Sequence, residues 1–229
     1  MSMKLYDLCG RNSAIRFSPY CWRAKMALMQ KGLEFETVPT TYAAIAGIGE
    51  GAKSVPVLDD GGRVVSDSFD IAVYLDAAYP DTPVLFGHDG LVAAARLVEG
   101  WTIAALHPVV MGMIIKDIHD VLDDPDQAYF RQTREARFGK ALEEVHKGVD
   151  ALAEQLAQAL APVRHTLAHH AFIGGAKPLF TDYIVLGPLL WLRTIHGSVP
   201  FADDDPVGGW FERCLALHDG YALKAETAA

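Results

Sequence analysis

Ser18 and Cys21 stand three residues apart in the run FSPYCWR, residues 17 to 23, with Pro19 directly after the serine. Two sulfur-bearing positions at that spacing, at the start of a helix, would make a dithiol redox site; here the first sulfur is replaced by a hydroxyl. A hydroxyl at a helix N-cap lies beside the first unpaired backbone N–H groups, so partial positive charge gathers at one point. A thiol brought there by another molecule would ionise more easily. Two further pairs could hold such a molecule. Val55-Pro56 lies between a glycine-rich loop and a β-rich run, a place where proline is tolerated and cis bonds occur. There the Val55 main-chain N–H and C=O would face outward, for an extended peptide to pair with. Asp67-Ser68 opens another helix, offering N–H groups and a hydroxyl to a carboxylate and an acid to an ammonium. Trp101, His107, Met111 and Met113 could wall an apolar pocket.

The elements that must position these residues can be read from periodicity. LYDL at 5 to 8 reads as a buried strand, and the loop CGRNSAIRF delivers the chain to Ser18. Pro19 presets the first helical φ, Cys21, Ala24 and Leu28 recur on one face, and Gly32 ends the helix. EFETVP is a second strand, and TYAAIAGIGEGAKS a short helix and then a loop. PVLDDGGRVVSDS has two β-rich runs around a turn-forming Asp-Asp-Gly-Gly, and IAVYLDAAY is a helix stopped by Pro80. The order strand, helix, strand, helix, two-strand hairpin, helix closes as a four-stranded mixed sheet with helices packed on it. YPDTPVLFGHDG is linker-like, and the chain beyond it is helical by pattern. The expected division is residues 1–82 as an α/β domain, 83–89 as linker and 90–229 as an all-α domain. In the latter, residues 90–118 and 126–160 read as two long helices, Pro162 breaks the second, and two shorter helices near 180–195 and 207–220 finish the chain.

Composition bounds the rest. A chain of 229 residues that is 51% hydrophobic can bury a sizeable core. Its net charge of −9 and pI near 5.4 disfavour nucleic acid and anionic membrane as partners, leaving room for a local basic pocket for a small anion. The N-terminus runs at once into a strand pattern with no signal-peptide layout, and YIVLGPLLWL at 183 to 192 is about half the ~20 residues that span a bilayer. Three widely spaced cysteines suit free thiols in a reducing compartment. A cytoplasmic protein without membrane segments is expected.

With these residues in place, the chain resembles a cytosolic glutathione transferase over nearly its whole length. Within that superfamily the runs SPYCWRAKMALMQKG, VPVLDDGGRVVSDS, DIAVYLDAAYPDTPVLF, IHDVLDD and FTDY look most like the bacterial β-etherase and fungal FuA branch. The resemblance implies a thioredoxin-like N-terminal domain that binds glutathione as co-substrate, a helical domain that takes an electrophile, and a homodimer. Carried over, Ser18 stabilises the glutathione thiolate and Val55, before a cis Pro56, pairs with its cysteine. Asp67 and Ser68 hold the γ-glutamyl end, and Lys53, with Arg16 as the other choice, faces the glycyl carboxylate. Trp101, His107 and Met111 line the electrophile pocket. One departure concerns folding: where many transferases have a Ser or Thr three residues before the aspartate matching Asp182, this chain has Leu179, so half of a capping box is missing.

Rival readings stand beside these. Ser13, in the same loop, is the competing hydroxyl. Cys21 sits in the first helical turn, where the helix end could acidify it, and it would then serve a glutathione-dependent thiol-disulfide or dehydroascorbate reductase; its face continues into Ala24 and Leu28, which favours a packed, inert thiol. A noncatalytic carrier of apolar ligands is the third possibility. No metal is expected. His165 and His169 share a helical turn without further ligands, and DIHDVLDDPD lacks the glycine and terminal glutamate of a calcium loop.

Overall fold

The computed structural model describes residues 3–49 and 51–229. Its strands are β1 (Met3–Leu8), β2 (Phe35–Thr40), β3 (Val57–Asp60) and β4 (Arg63–Ser66), in sheet order β2-β1-β3-β4. β1 runs parallel to β2, Met3 opposite Phe35 and Leu8 opposite Thr40, and antiparallel to β3, with Tyr6 opposite Val57. The β3–β4 hairpin turns at Gly61 and Gly62, both at positive φ, and Asp59 accepts the Gly62 N–H at 2.7 Å. The four-stranded mixed sheet expected from the pattern is present. The loop read as a short helix contains one 3-10 turn, Ile45–Gly47; its Glu50 lies outside the described residues.

Helix α1 (Pro19–Lys31) starts at Ser18 and ends at Gly32, whose φ of 67° lets its N–H turn back to Leu28 and Met29. One apolar face was expected; instead every residue from Cys21 to Leu28 is buried, because α1 lies between the sheet and the later helices. Its charged members are buried with partners. Arg23 is 3.0 Å from Glu99 and Lys25 2.9 Å from Asp7. Helix α2 (Ser68–Ala78) joins the same core through Phe69, Ile71, Ala72 and Leu75.

Beyond residue 88 the chain is helical: α3 (Asp89–Trp101), a π turn (Thr102–Leu106), α4 (His107–Val121), α5 (Asp124–Phe138), α6 (Leu142–Val145), α7 (Val149–Ala159), α8 (Ala161–Leu167), α9 (Phe180–His196) and α10 (Pro206–Gly220). The first expected helix is longer and carries the π turn beside Pro108, which has no N–H to give a regular ladder. From Asp89 to Val121 it is long and apolar enough to pass for a membrane span, yet Leu106, Val110, Met113, Ile114 and Ile118 are buried in the protein's own core. The second expected helix is three. Gly139 and Gly148, at φ 64° and 82°, terminate α5 and precede α7, and Pro162 lies in the first turn of α8. α10 departs from helical geometry at residues 217–219.

Helix α9 is the central element, buried along nearly its whole length. The capping half that Leu179 lacks is made good locally: the Asp182 N–H donates to the Leu179 carbonyl at 2.9 Å, while its carboxylate accepts the Leu179 N–H at 3.0 Å. That carboxylate also takes the Ile173 and Gly174 N–H groups and the Trp210 indole, at 2.8 to 2.9 Å. Further along, Gly187 faces the start of α1, where a Cβ would come within 2.4 Å of the Pro19 carbonyl oxygen.

Candidate active site

Sheet register alone gathers the expected residues at one end of the sheet. Val57 pairs with Ser66, so Val55-Pro56, entering β3, runs beside Asp67-Ser68, leaving β4. The C-terminal end of β1 lies next to them, and the chain returns through a Cys9–Arg16 bridge to Ser18. The Val55–Pro56 bond is cis. Ser18 has extended φ and ψ, and its Oγ accepts the Cys21 N–H at 3.3 Å. A hydroxyl whose oxygen already accepts keeps its proton to donate elsewhere. Asp67, at φ 72°, caps α2 with one oxygen, Oδ1, which accepts the Phe69 and Asp70 N–H groups at 2.8 and 3.3 Å. Ser68 Oγ is buried and has no hydrogen-bond partner among the described residues, so its proton is unspent.

A cavity of about 370 Å³ opens between this sheet end and the helices. Ser18, Lys53, Val55, His107 and Met111, of the expected residues, line it. His107, four residues after Ile103 and four before Met111, presents the π-turn face of the long helix. Its ring lies 5.3 Å from Tyr20 and 6.0 Å from Trp191, and its Nε2 is 3.4 Å from Arg23 Nη2. Arginine can only donate, so Nε2 accepts and the ring proton sits on Nδ1. Burial, then the charges of Arg23 and Arg137, push the His107 pKa down to about 3.

Other expectations are corrected. Trp101 is half-buried on α3 and does not line the cavity: across the π turn it and His107 come out on different faces of the long helix. Met113 is a fully buried core residue, two positions and about 200° from Met111. Ser13 is exposed in the loop, outside the cavity lining, with its carbonyl accepting from Arg16 Nε. Arg16 itself turns toward Asp7, 3.9 Å away, and lines a different cavity. Cys21 is fully buried with Sγ 3.9 Å from the Tyr6 carbonyl, and burial, reinforced by Asp7, raises its thiol pKa far above normal. It is the packed thiol; a reductase chemistry through Cys21 has no accessible sulfur. Pro56, Asp67 and Ser68 flank the cavity lining without being part of it.

Sequence reasoning missed the helical wall, Ile103, Tyr129, Phe130, Arg134, Arg137 and Trp191, and with it Tyr42 in the turn after β2. Phe130, Arg134 and Arg137 recur at helical spacing, which was a readable signal. The wall is fixed to the sheet side by Asp126 at the start of α5, whose carboxylate accepts the Tyr42 and Ala43 N–H groups at 2.6 and 2.9 Å.

Similarity to known proteins falls in two stretches of the chain. Residues 93–216 match the glutathione S-transferase C-terminal domain family and residues 13–83 the glutathione S-transferase N-terminal domain family. The glutathione transferase GSTFuA3 of Phanerochaete chrysosporium superposes with a TM-score of 0.83 at 23% identity, covering 94% of this chain and 97% of that one. A glutathione S-transferase of Ceriporiopsis subvermispora, solved in complex with glutathione, gives 0.79 at 24% identity with 100% of both chains covered. At these identities the likeness speaks for the fold. The glutathione S-transferase-like protein ustS of Aspergillus flavus is 29% identical over 136 residues, 55% of this chain. The match spans about half, 49%, of that relative's length.

Proposed function

The chain belongs to the glutathione S-transferase family, and from that premise we propose that it binds glutathione, ionises its thiol and directs the thiolate at an apolar electrophile. In this reading residues 1–82 hold the tripeptide, 83–89 connect, and 90–229 shape the electrophile's wall. The observation that carries it is Ser18: a helix-capping hydroxyl with its proton unspent, at the edge of a cavity whose other side is aromatic. A free thiol has a pKa of ~8.5 and is mostly protonated at neutral pH; a hydrogen bond from Ser18 and the α1 N-terminus favour the anion. Lowering it by one to two units is worth ~1.4 to 2.7 kcal/mol, enough to make thiolate the major species.

The remaining contacts lie along the sheet end. The Val55 main chain pairs with the glutathione cysteine, Lys53 meets the glycyl carboxylate, and Asp67 with Ser68 takes the γ-glutamyl end. The Ser68 hydroxyl and Asp67 Oδ2, both without a hydrogen-bond partner among the described residues, support that last assignment. The sulfur forms a bond to carbon while a leaving group departs or an activated double bond takes up the electrons; ether cleavage, with an aryloxide leaving, is the same attack. Conjugation of this kind suits detoxification in the cytoplasm, where the free thiols of Cys9, Cys21 and Cys214 stay reduced. A homodimer is supported by exposed apolar side chains on neighbouring elements, Val64 on β4, Val73 on α2 and Leu97 on α3, the last 77% exposed.

Calorimetry with glutathione, and then titration of the bound thiol's ultraviolet absorbance in wild type and Ser18→Ala, tests the reading. The expected result is a thiol midpoint one to two pH units higher in the variant. No uptake of glutathione at millimolar concentration would remove the whole reading, an unchanged midpoint would remove Ser18, and binding without turnover of any electrophile would leave a carrier.

A further inference from the structure

The protein carries a net charge of −9, yet its cavity is lined by Lys53, Arg134 and Arg137 and by no aspartate or glutamate among the described residues. Outside it Arg23 and Arg96 share Glu99 and Arg164 meets Asp205, while Arg11, Arg193 and Arg213 donate to backbone carbonyls. On α5 itself Arg131 holds both Glu135 and Glu143 at 2.8 Å. Arg134 and Arg137, three and six residues further on, have no carboxylate within ion-pair distance among the described residues, and both face the cavity.

Arg134 is framed for a planar ligand. Its guanidinium carbon lies 4.6 Å from the Phe130 ring centre and 5.6 Å from that of Tyr42, Nη1 donates to Thr133 at 2.9 Å, and Nε is buried with no partner among the described residues. Arg137 is exposed at the mouth, and its charge reaches His107 on another wall, adding to the burial and to Arg23 in keeping that ring neutral. A guanidinium pair on an aromatic wall, unmatched by protein carboxylates, recognises an anion attached to a ring. We infer that the preferred electrophile is an aromatic compound bearing a carboxylate, seated on Arg134 and Arg137 with its reactive carbon toward Ser18. This rests on the reading that the cavity holds glutathione and an electrophile. Lys53, on the sheet side next to Val55, is left for the tripeptide.

A matched pair of electrophiles tests it: a chloronitrobenzoate and the corresponding neutral chloronitrobenzamide. In both, the thiolate forms a C–S bond at the ring carbon bearing chlorine, the C–Cl bond breaks, chloride leaves with the electron pair, and the thiol proton goes to solvent. The quantity read is the ratio of kcat/KM for the two, each divided by its uncatalysed rate with glutathione. About tenfold in favour of the benzoate is expected for wild type, falling toward unity in Arg134→Gln/Arg137→Gln and inverting in Arg137→Glu. Arg137→Lys should retain part of the preference. Where neither compound is turned over, the ratio of their dissociation constants on glutathione-saturated protein is read instead. If the double variant does not fold, the exposed Arg137→Gln carries the measurement. A wild-type ratio near unity with normal glutathione binding overturns this inference alone. A raised glutathione Kd in the variants with an unchanged ratio also overturns it, by giving the arginines to the tripeptide. Loss of glutathione binding in the wild type would instead defeat the transferase reading beneath it.

Discussion

The starts of α9 and α1 are both buried, polar helix ends, and they are finished in opposite ways. At α9 the Asp182 carboxylate accepts four hydrogen bonds, three from main-chain N–H groups and one from the Trp210 indole. At α1 the Ser18 hydroxyl takes one, and across the sheet end the Ser68 hydroxyl takes none among the described residues. Buried polar groups cost free energy until they are paired. The saturated end therefore belongs to the scaffold, whereas the unsaturated end keeps bonding capacity for something that arrives later. The two are joined by α9, which runs from Asp182 to Gly187 and there presses against Pro19.

The largest effect should come from the saturated end. Asp182→Ala strands four donors, one of them an indole N–H, and should cost about 3 to 5 kcal/mol of stability in urea unfolding. A loss under about 1 kcal/mol would mean the donors find other partners, and the contrast between the two ends would dissolve. Next is the join. Alanine at Gly187 puts a Cβ 2.4 Å from a backbone oxygen, which cannot yield as a flexible side chain would. Overpacking of this kind costs about 1 to 3 kcal/mol, and because relief requires the start of α1 to move, glutathione affinity should fall along with the urea midpoint. A stability loss with unaltered affinity would show that Ser18 is held independently of α9.

How much of this was legible in the sequence divides along the same line. The sheet end was readable because its contacts are short in sequence or fixed by register. Ser18-Pro19 announces a helix start, Asp-Asp-Gly-Gly sets the hairpin, and the hairpin then brings Pro56 beside Asp67. The helical wall was legible only as the spacing of Phe130, Arg134 and Arg137 on one helix, because the rest of it depends on how distant helices meet. Gly139 and Gly148 look tolerable within a periodic pattern, and only at positive φ do they end α5 and set α7 apart. Trp101 looked like a wall residue by type, but helix phase excludes it and selects Ile103 instead. Arg23 and Lys25 look like a solvent face until Glu99 and Asp7 arrive from other elements to pair with them.

A pH measurement sharpens the contrast from the cavity side. Burial, Arg23 and Arg137 depress the His107 pKa from 6.5 to about 3, so the folded protein keeps this ring neutral while the unfolded chain protonates it below about pH 6.5. Between those two values the unfolded state binds more protons, and stability must fall as pH falls. The slope from this residue is at most ~1.4 kcal/mol per pH unit, falling to about half of that at about pH 6.5 and fading over about one pH unit above it. His107→Gln, which keeps an acceptor for Arg23, should flatten the Tm profile between pH 6.5 and 4.5. An identical profile would place the acid-sensitive group elsewhere.

The smallest stability change is the most diagnostic. Ser68 is fully buried and its hydroxyl unpartnered, so Ser68→Ala removes a group whose desolvation is already uncompensated. Stability in urea unfolding should hold within about 0.5 kcal/mol or rise slightly, the reverse of Asp182→Ala although both substitutions delete a buried polar side chain. Affinity for glutathione should nevertheless fall about fivefold, since a hydrogen bond formed only in the complex is worth roughly 1 kcal/mol. Measuring both on one variant separates the causes. A stability loss of more than about 1 kcal/mol would mean the hydroxyl is already paired in the free protein, while unchanged stability with unchanged affinity would move the γ-glutamyl end away from α2.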